Sequence, residues 1–171
     1  MDVYQCIRSR LTVRNFKPDP VPDSVIRSML RAARWAPSAR NRQPWNLVII
    51  QDRDTLDRIG SIASSGGFIG GAPLAVAVVM ERQGRPEFDA GRALQQMELA
   101  AWSLGVGGCV AGVRGEENDR VKELLGIPED KELVTVVAFG YPTDETASGT
   151  KARKPVAEFA HSERYGQPYG S

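Results

Sequence analysis

Pro37-Ser38-Ala39-Arg40-Asn41-Arg42-Gln43-Pro44-Trp45 lies between an amphipathic run that ends at Ala36 and an apolar run that begins at Trp45, and it reads as a turn from helix into strand. Pro37 stops the helix, because its ring removes a backbone donor and disfavours helical geometry at the residue before it. Pro44 in turn pushes Gln43 toward extended geometry. Ser38, Asn41 and Gln43 are then held on a short, stiff loop with polar ends free to meet a ligand. An ordinary polar loop attracts the same residue types, so both readings stand at this point.

Upstream, Val25, Ile26, Met29, Leu30 and Ala33 recur at three and four, with Arg27, Arg31 and Arg34 on other faces, and Asp23 offers a cap. This helix delivers the loop. Downstream, Trp45 to Ile50 is a short apolar run that suits a buried strand. Asp54 is placed to cap a third helix through Leu56, Ile59 and Ile62. Ser64 to Pro73 reads as a flexible glycine-rich loop, because its glycines do not follow the GxGxxG order of a dinucleotide fingerprint. A second buried strand is predicted from Leu74 to Met80, and the longest helix from about Phe88 to Leu104, with Leu94, Met97, Ala101 and Leu104 on one face. Ala90, Gly91, Ala93, Ala100 and Ala101 allow another helix to approach closely, within the subunit or between subunits.

Gly105 to Val113 follows as a turn and a short strand, in which Gly112 is open to main-chain contact with a flat ligand or to close packing alone. A helix from about Glu117 to Leu125 ends at Gly126, and Leu133 to Phe139 is the last strong strand. Beyond Gly140 the chain turns polar. Lys151-Ala152-Arg153-Lys154-Pro155 is a basic knot, and Val156, Phe159 and Tyr165 are too sparse for a core, so residues 142–171 read as a tail that lies across something.

At the other end, Asp2 can cap a first helix carrying Val3, Cys6 and Ile7 on one face. Leu11, Val13 and Phe16 then alternate with polar residues, which sets Arg10, Thr12 and Arg14 on one side of an extended segment. Two guanidiniums flanking a hydroxyl match the oxygens of a phosphate; a solvated basic edge has the same composition.

A net charge of +1 argues against bulk attraction to nucleic acid or a membrane surface, and no apolar run approaches the roughly 20 residues that span a bilayer. A cytoplasmic, single-domain protein is expected. Cys6 and Cys109 lack CxxC spacing and His161 is the one histidine, so no metal site is predicted, and the cysteines read as buried apolar residues. No nucleophile or carboxylate pair stands in a motif, and no catalytic side chain is assigned.

Six features in one order carry a resemblance. They are the basic segment after the first helix, the Pro-Ser-x-x-Asn-x-Gln-Pro-Trp loop, Asp89-x-Gly91 at the start of the long helix, the Leu104-Gly105-x-Gly107 turn, a strand ending in Gly140-Tyr141-Pro142, and Lys151-x-Arg153. Together they resemble the nitroreductase family of flavin-dependent oxidoreductases, nearly end to end. The resemblance implies an α+β, three-layer fold, a central mixed sheet flanked by helices, in a homodimer whose C-terminal tails are swapped.

It also implies FMN as cofactor, with the phosphate held by Arg10, Thr12, Arg14, Lys151 and Arg153 beside Leu11. Pro37, Ser38, Ala39, Asn41 and, less directly, Gln43 would meet the flavin of the partner subunit. Val110, Ala111 and Gly112 would lie near its reactive edge. The implied reaction passes a hydride from NAD(P)H through the flavin to a nitroaromatic, quinone or similar small acceptor by a ping-pong mechanism. A flavin carrier, a flavin-fragmenting enzyme and a deazaflavin binder are the alternatives of the same fold. Leu11 stands where many members have a basic residue or histidine, and Thr12 where serine is usual. The connection from Met80 to Asp89 is short, which implies an open substrate face.

Overall fold

A computed structural model describes residues 1–82, 84–144 and 151–170. Its centre is β2 (Leu74–Glu81), in which all residues but the last are buried. Successive side chains of a strand point to opposite faces, so a strand buried at every position needs cover on both sides. Leu74, Val76, Val78 and Met80 face one apolar cluster, and Ala75, Ala77 and Val79 face a second. β1 (Trp45–Ile50), β3 (Gly107–Ala111) and β4 (Lys131–Gly140) complete a sheet of order β1-β2-β4-β3. Register runs Trp45 to Met80 and Leu74 to Phe139, with a bulge between Val78 and Val79. The sheet was expected to be mixed. Among the described residues its three ladders are antiparallel, and the parallel element is a single bridge from Thr12 to Gly108 at the β3 edge.

On the first face lie α2 (Asp23–Arg34) and α4 (Pro86–Ser103). Ile26, Met29 and Ala33 of α2 meet Ala90, Ala93, Met97 and Ala101 of α4 over Val76, Val137 and Phe139. Ala90, Ala93 and Ala101 therefore serve packing within the chain, whereas an added Cβ at Gly91 would meet nothing. Burying a side chain the size of Met97 or Phe139 contributes about 1.5–3 kcal/mol, so this layer carries much of the stability. On the second face, α3 (Arg53–Ile62) and α5 (Glu116–Leu125) bring Leu56, Ile59 and Val121 onto Val79, Val136 and Ala138. The short α1 (Val3–Ser9) carries a capping box between Asp2 and Gln5.

Local chemistry moves several expected boundaries. Asp23 is the first residue of α2 behind Pro22, and Asp52 caps α3 instead of Asp54, because an N-cap carboxylate accepts from the amide three residues on, here Thr55 at 2.8 Å. The stretch 64–73 is not an open flexible loop. Ile69 and Ala72 are fully buried, and a Cβ at Gly60 would stand 2.9 Å from the Gly70 nitrogen, so the glycines let this segment lie tightly on α3. The tail, in contrast, packs mainly on itself through the His161–Pro168 bridge and a bond from the Tyr169 amide to the Ala160 carbonyl. Val156, Phe159, Tyr165 and Tyr169 stay exposed. Among the described residues no helix is long and apolar enough to cross a membrane.

Candidate functional site

The Arg10–Arg14 segment is pinned to β3 by backbone: the Val13 amide donates to the Gly108 carbonyl at 3.0 Å, and Val13 fills the space beside Gly107 that a Cβ would need. Val13 is fully buried, and the alternation therefore turns Thr12 and Arg14 outward. Arg10 reaches Glu98 on the last turns of α4 at 3.4 Å, with 25% and 11% of the two side chains exposed. Lys151 donates to the Arg8 carbonyl at 3.2 Å, so residues more than a hundred positions apart share one corner. Arg153 and Leu11 join Lys151 along a groove of about 1250 Å³ that Trp102 and Phe159 also line. Burial pushes the Lys151 ammonium down from the ordinary lysine range, and the positive charges of Arg10 and Arg153 push it further. Glu98 offsets one of these cations, and Lys151 and Arg153 have no carboxylate partner among the described residues, which leaves room for an anion.

Arg14 takes a different course. Its guanidinium lies 6.0 Å from the Phe68 ring, and it bears, with Arg10, on the thiol of Cys109, which burial raises. Both cysteines are free and buried, and no metal-binding group occurs among the described residues. Glu98 is the residue that sequence reading missed. An isolated glutamate on a helix has no spacing signal, and only the fold sets it beside Arg10. Burial raises its carboxyl, against the opposing pull of Arg10.

The proline-flanked loop stands at the other end of α4, where Arg92 donates to the Pro37 carbonyl at 3.4 Å. From Arg92 to Trp102 the helix rises by roughly 15 Å at 1.5 Å per residue, so one chain does not bring Ser38 and Asn41 to its own cationic corner. Arg40, Asn41 and Gln43 all have positive φ, of 55°, 54° and 51°. Gln43 is thus not in the extended conformation that Pro44 was expected to impose. Its amide donates to Ser38 Oγ at 2.9 Å, and its side chain donates to the Asn41 carbonyl at 3.3 Å, which ties the loop shut. Side chains held in the left-handed region cost free energy and cluster at ligand sites. Pro37 and Ala39 flank the turn, and the Asn41 carboxamide is exposed, with no hydrogen bond among the described residues.

The β3 trio divides. Val110 is 44% exposed, Ala111 is buried with its carbonyl taken by Thr135 Oγ1 at 2.8 Å, and Gly112 is exposed with its carbonyl accepting from Ser65. Val110 and Gly112 can reach a ligand. Ala111 offers only a buried methyl and a committed carbonyl.

An antiparallel sheet between helix layers, with the long helix running from a strained polar loop to a cationic corner, is the fold of the nitroreductases. The FMN-dependent nitroreductase of Clostridium difficile R20291 superposes on 95% of this chain and 100% of its own with a TM-score of 0.86, at 22% identity. The profile of the Nitroreductase family matches residues 7–85 and 68–141. An Archaeoglobus fulgidus protein with the provisional name NADH dehydrogenase/NAD(P)H nitroreductase is 33% identical over 152 residues, covering 84% of this chain and 87% of the relative. The FMN reductase [NAD(P)H] of Bacillus subtilis is 26% identical over 188 residues, covering 96% and 74%. The chain belongs to the nitroreductase family.

Proposed function

We propose that the protein is an FMN-dependent oxidoreductase that takes its electrons from NAD(P)H. The observation that carries this reading is the convergence of Lys151 and Arg153 with the Arg8–Leu11 segment along one groove open to solvent, a cluster of cations that matches a phosphate monoester. The FMN reductase name of the Bacillus subtilis relative supports the same cofactor. Arg10, Lys151 and Arg153 hold the phosphate, Thr12 and Arg14 border it, and Leu11 gives the groove an apolar wall. Val110 and Gly112 present an open strand end toward the ring. Bound there, FMN supplies a ring that accepts a hydride from reduced nicotinamide and gives it to a nitroaromatic, quinone or similar small acceptor in ping-pong order. No protein side chain is assigned as an acid or base.

A second copy of the chain completes the site. Pro37, Ser38, Ala39, Asn41 and Gln43 stand toward the opposite end of α4 from their own Arg10, while Val3, Tyr4 and Ile7 of α1 and the apolar residues of the tail expose a surface that a partner would cover. In this homodimer the tail 142–171 would reach the neighbour beyond its anchors on its own chain, Pro142 on Phe16 and Lys151 on Arg8; residues 145–150 lie outside the described residues. Two free buried thiols suit a reducing cytoplasm. The test is simple. The purified protein should be yellow and bleach without oxygen on addition of NADH or NADPH; yellow protein that neither nucleotide bleaches would refute the reductase reading.

A further inference from the structure

Two arginines sit over one half-exposed ring on the first turn of α4. The Arg92 guanidinium carbon lies 4.3 Å from the Phe88 ring centre and that of Arg85 lies 5.7 Å away. Arg42 reaches the same place from the proline-flanked loop, and together with Ser38 and Asp89 these residues line a pocket of about 350 Å³. Three positive charges face one carboxylate there. Asp89 is nearly buried and stands 4.0 Å from Arg92, which leaves Arg42 and Arg85 without a carboxylate partner among the described residues. Arg92 is also anchored to the Pro37 carbonyl, so Arg42 and Arg85 are the exposed arms free to turn toward a ligand.

We propose that this pocket takes the phosphorylated adenosine end of the reductant, and that Arg42 and Arg85 select NADPH over NADH through its 2′-phosphate. The proposal rests on the reading of the protein as a reductase fed by NAD(P)H and names the form that feeds it. A 2′-phosphate is a terminal dianion with three free oxygens, and paired guanidinium forks match it better than they match the two hydroxyls that NADH presents. The guanidiniums that lie over Phe88 offer planar cationic faces on which an electron-rich purine can stack. The place is also suitable. Ser38 and Ala39 line this pocket and belong to the loop proposed to meet the flavin, so a dinucleotide seated here has its other end directed along that loop toward the site.

Calorimetric titration of the purified protein with 2′,5′-ADP, 5′-AMP and inorganic phosphate tests the idea without turnover. Charge-assisted hydrogen bonds to one phosphate should make 2′,5′-ADP bind about tenfold or more tighter than 5′-AMP. Arg42→Gln with Arg85→Gln should bring the two ligands within about threefold, and Arg85→Glu alone should weaken 2′,5′-ADP selectively. Equal affinities in the wild type, or a preference that survives both sets of changes, would overturn the assignment. So would inorganic phosphate competing as strongly as 2′,5′-ADP, which would make this a general anion patch. The flavin absorbance of the same samples separates the two readings. Discrimination in protein that holds no flavin refutes the flavin reading alone, and flavin-loaded protein without discrimination refutes this pocket alone.

Discussion

The two ends of α4 prepare for a ligand in different ways. At its C-terminal end Arg10, Lys151 and Arg153 are gathered from distant parts of the chain and are limited by mutual repulsion, with Glu98 as a partial counterweight. At its N-terminal end the loop from Pro37 to Trp45 is local, uses three positive-φ side chains, and is closed by its own hydrogen bonds. The first region has its charge in place, and Glu98 answers only Arg10. The second has its shape in place and lacks a partner for Asn41. The comparison teaches that charge and shape are prepared at opposite ends of one helix, which under the proposed dimer would serve one ligand from two subunits.

The strongest challenge to that view is complementation. Arg10→Ala damages the charged corner and Asn41→Ala the loop, so a hybrid dimer of the two variants keeps one undamaged site. Half of the dimers in a freely exchanged mixture are hybrids, and roughly a quarter of all sites should regain wild-type flavin affinity. Bound flavin in tagged, purified hybrids reads this out; no recovery would mean that the loop serves only its own chain.

Next in size is the phosphate itself. Arg10→Ala or Arg153→Ala should weaken FMN by about one to two powers of ten, at roughly 1.5–3 kcal/mol per charge-assisted bond, and leave riboflavin nearly unchanged. Fluorescence titrations of both flavins check it. Rising salt should shrink the FMN loss by screening, whereas the effect of Asn41→Ala should not respond to salt.

A smaller effect probes the strained loop. Arg40, at φ 55° and exposed, gains nothing from its side chain that offsets a left-handed backbone. Arg40→Gly should raise stability by up to about 1 kcal/mol in denaturant titration, since glycine adopts that geometry freely. A loss of stability would place the guanidinium in a contact that holds the loop.

The smallest concerns Glu98, whose carboxyl is raised by burial. Such a group holds its proton more firmly folded than unfolded. Its contribution is complete below the ordinary carboxylate range and is lost as pH rises through the folded value. Glu98→Gln keeps a neutral side chain at every pH, so its stability relative to wild type should rise between mildly acidic and neutral conditions. Paired urea titrations at the two pH values measure the sign, and a relative fall would show that the ion pair with Arg10 outweighs burial.

Much of this protein was legible in its residues, because periodicity and punctuation are local properties. The unbroken apolar run Leu74–Met80 predicts a buried strand, Pro37 and Pro44 delimit the loop, and Trp45–Ile50 is a strand by length and composition alone. Arg10, Arg14, Lys151 and Arg153 could be named as a group only through family resemblance, since nothing local links residues so far apart. Tertiary structure then split them, sending Arg14 toward Phe68 and Cys109 while Arg10 and Lys151 share a corner. It also placed Glu98 on Arg10, drew Arg42, Arg85 and Arg92 around Phe88, and turned the glycine-rich stretch before β2 into packed structure. Chain geometry within a few residues follows from side-chain sterics and backbone bonding. Which charges meet across a hundred residues follows from the register of Val13 on Gly108 and the packing of α4, and only the folded chain decides those.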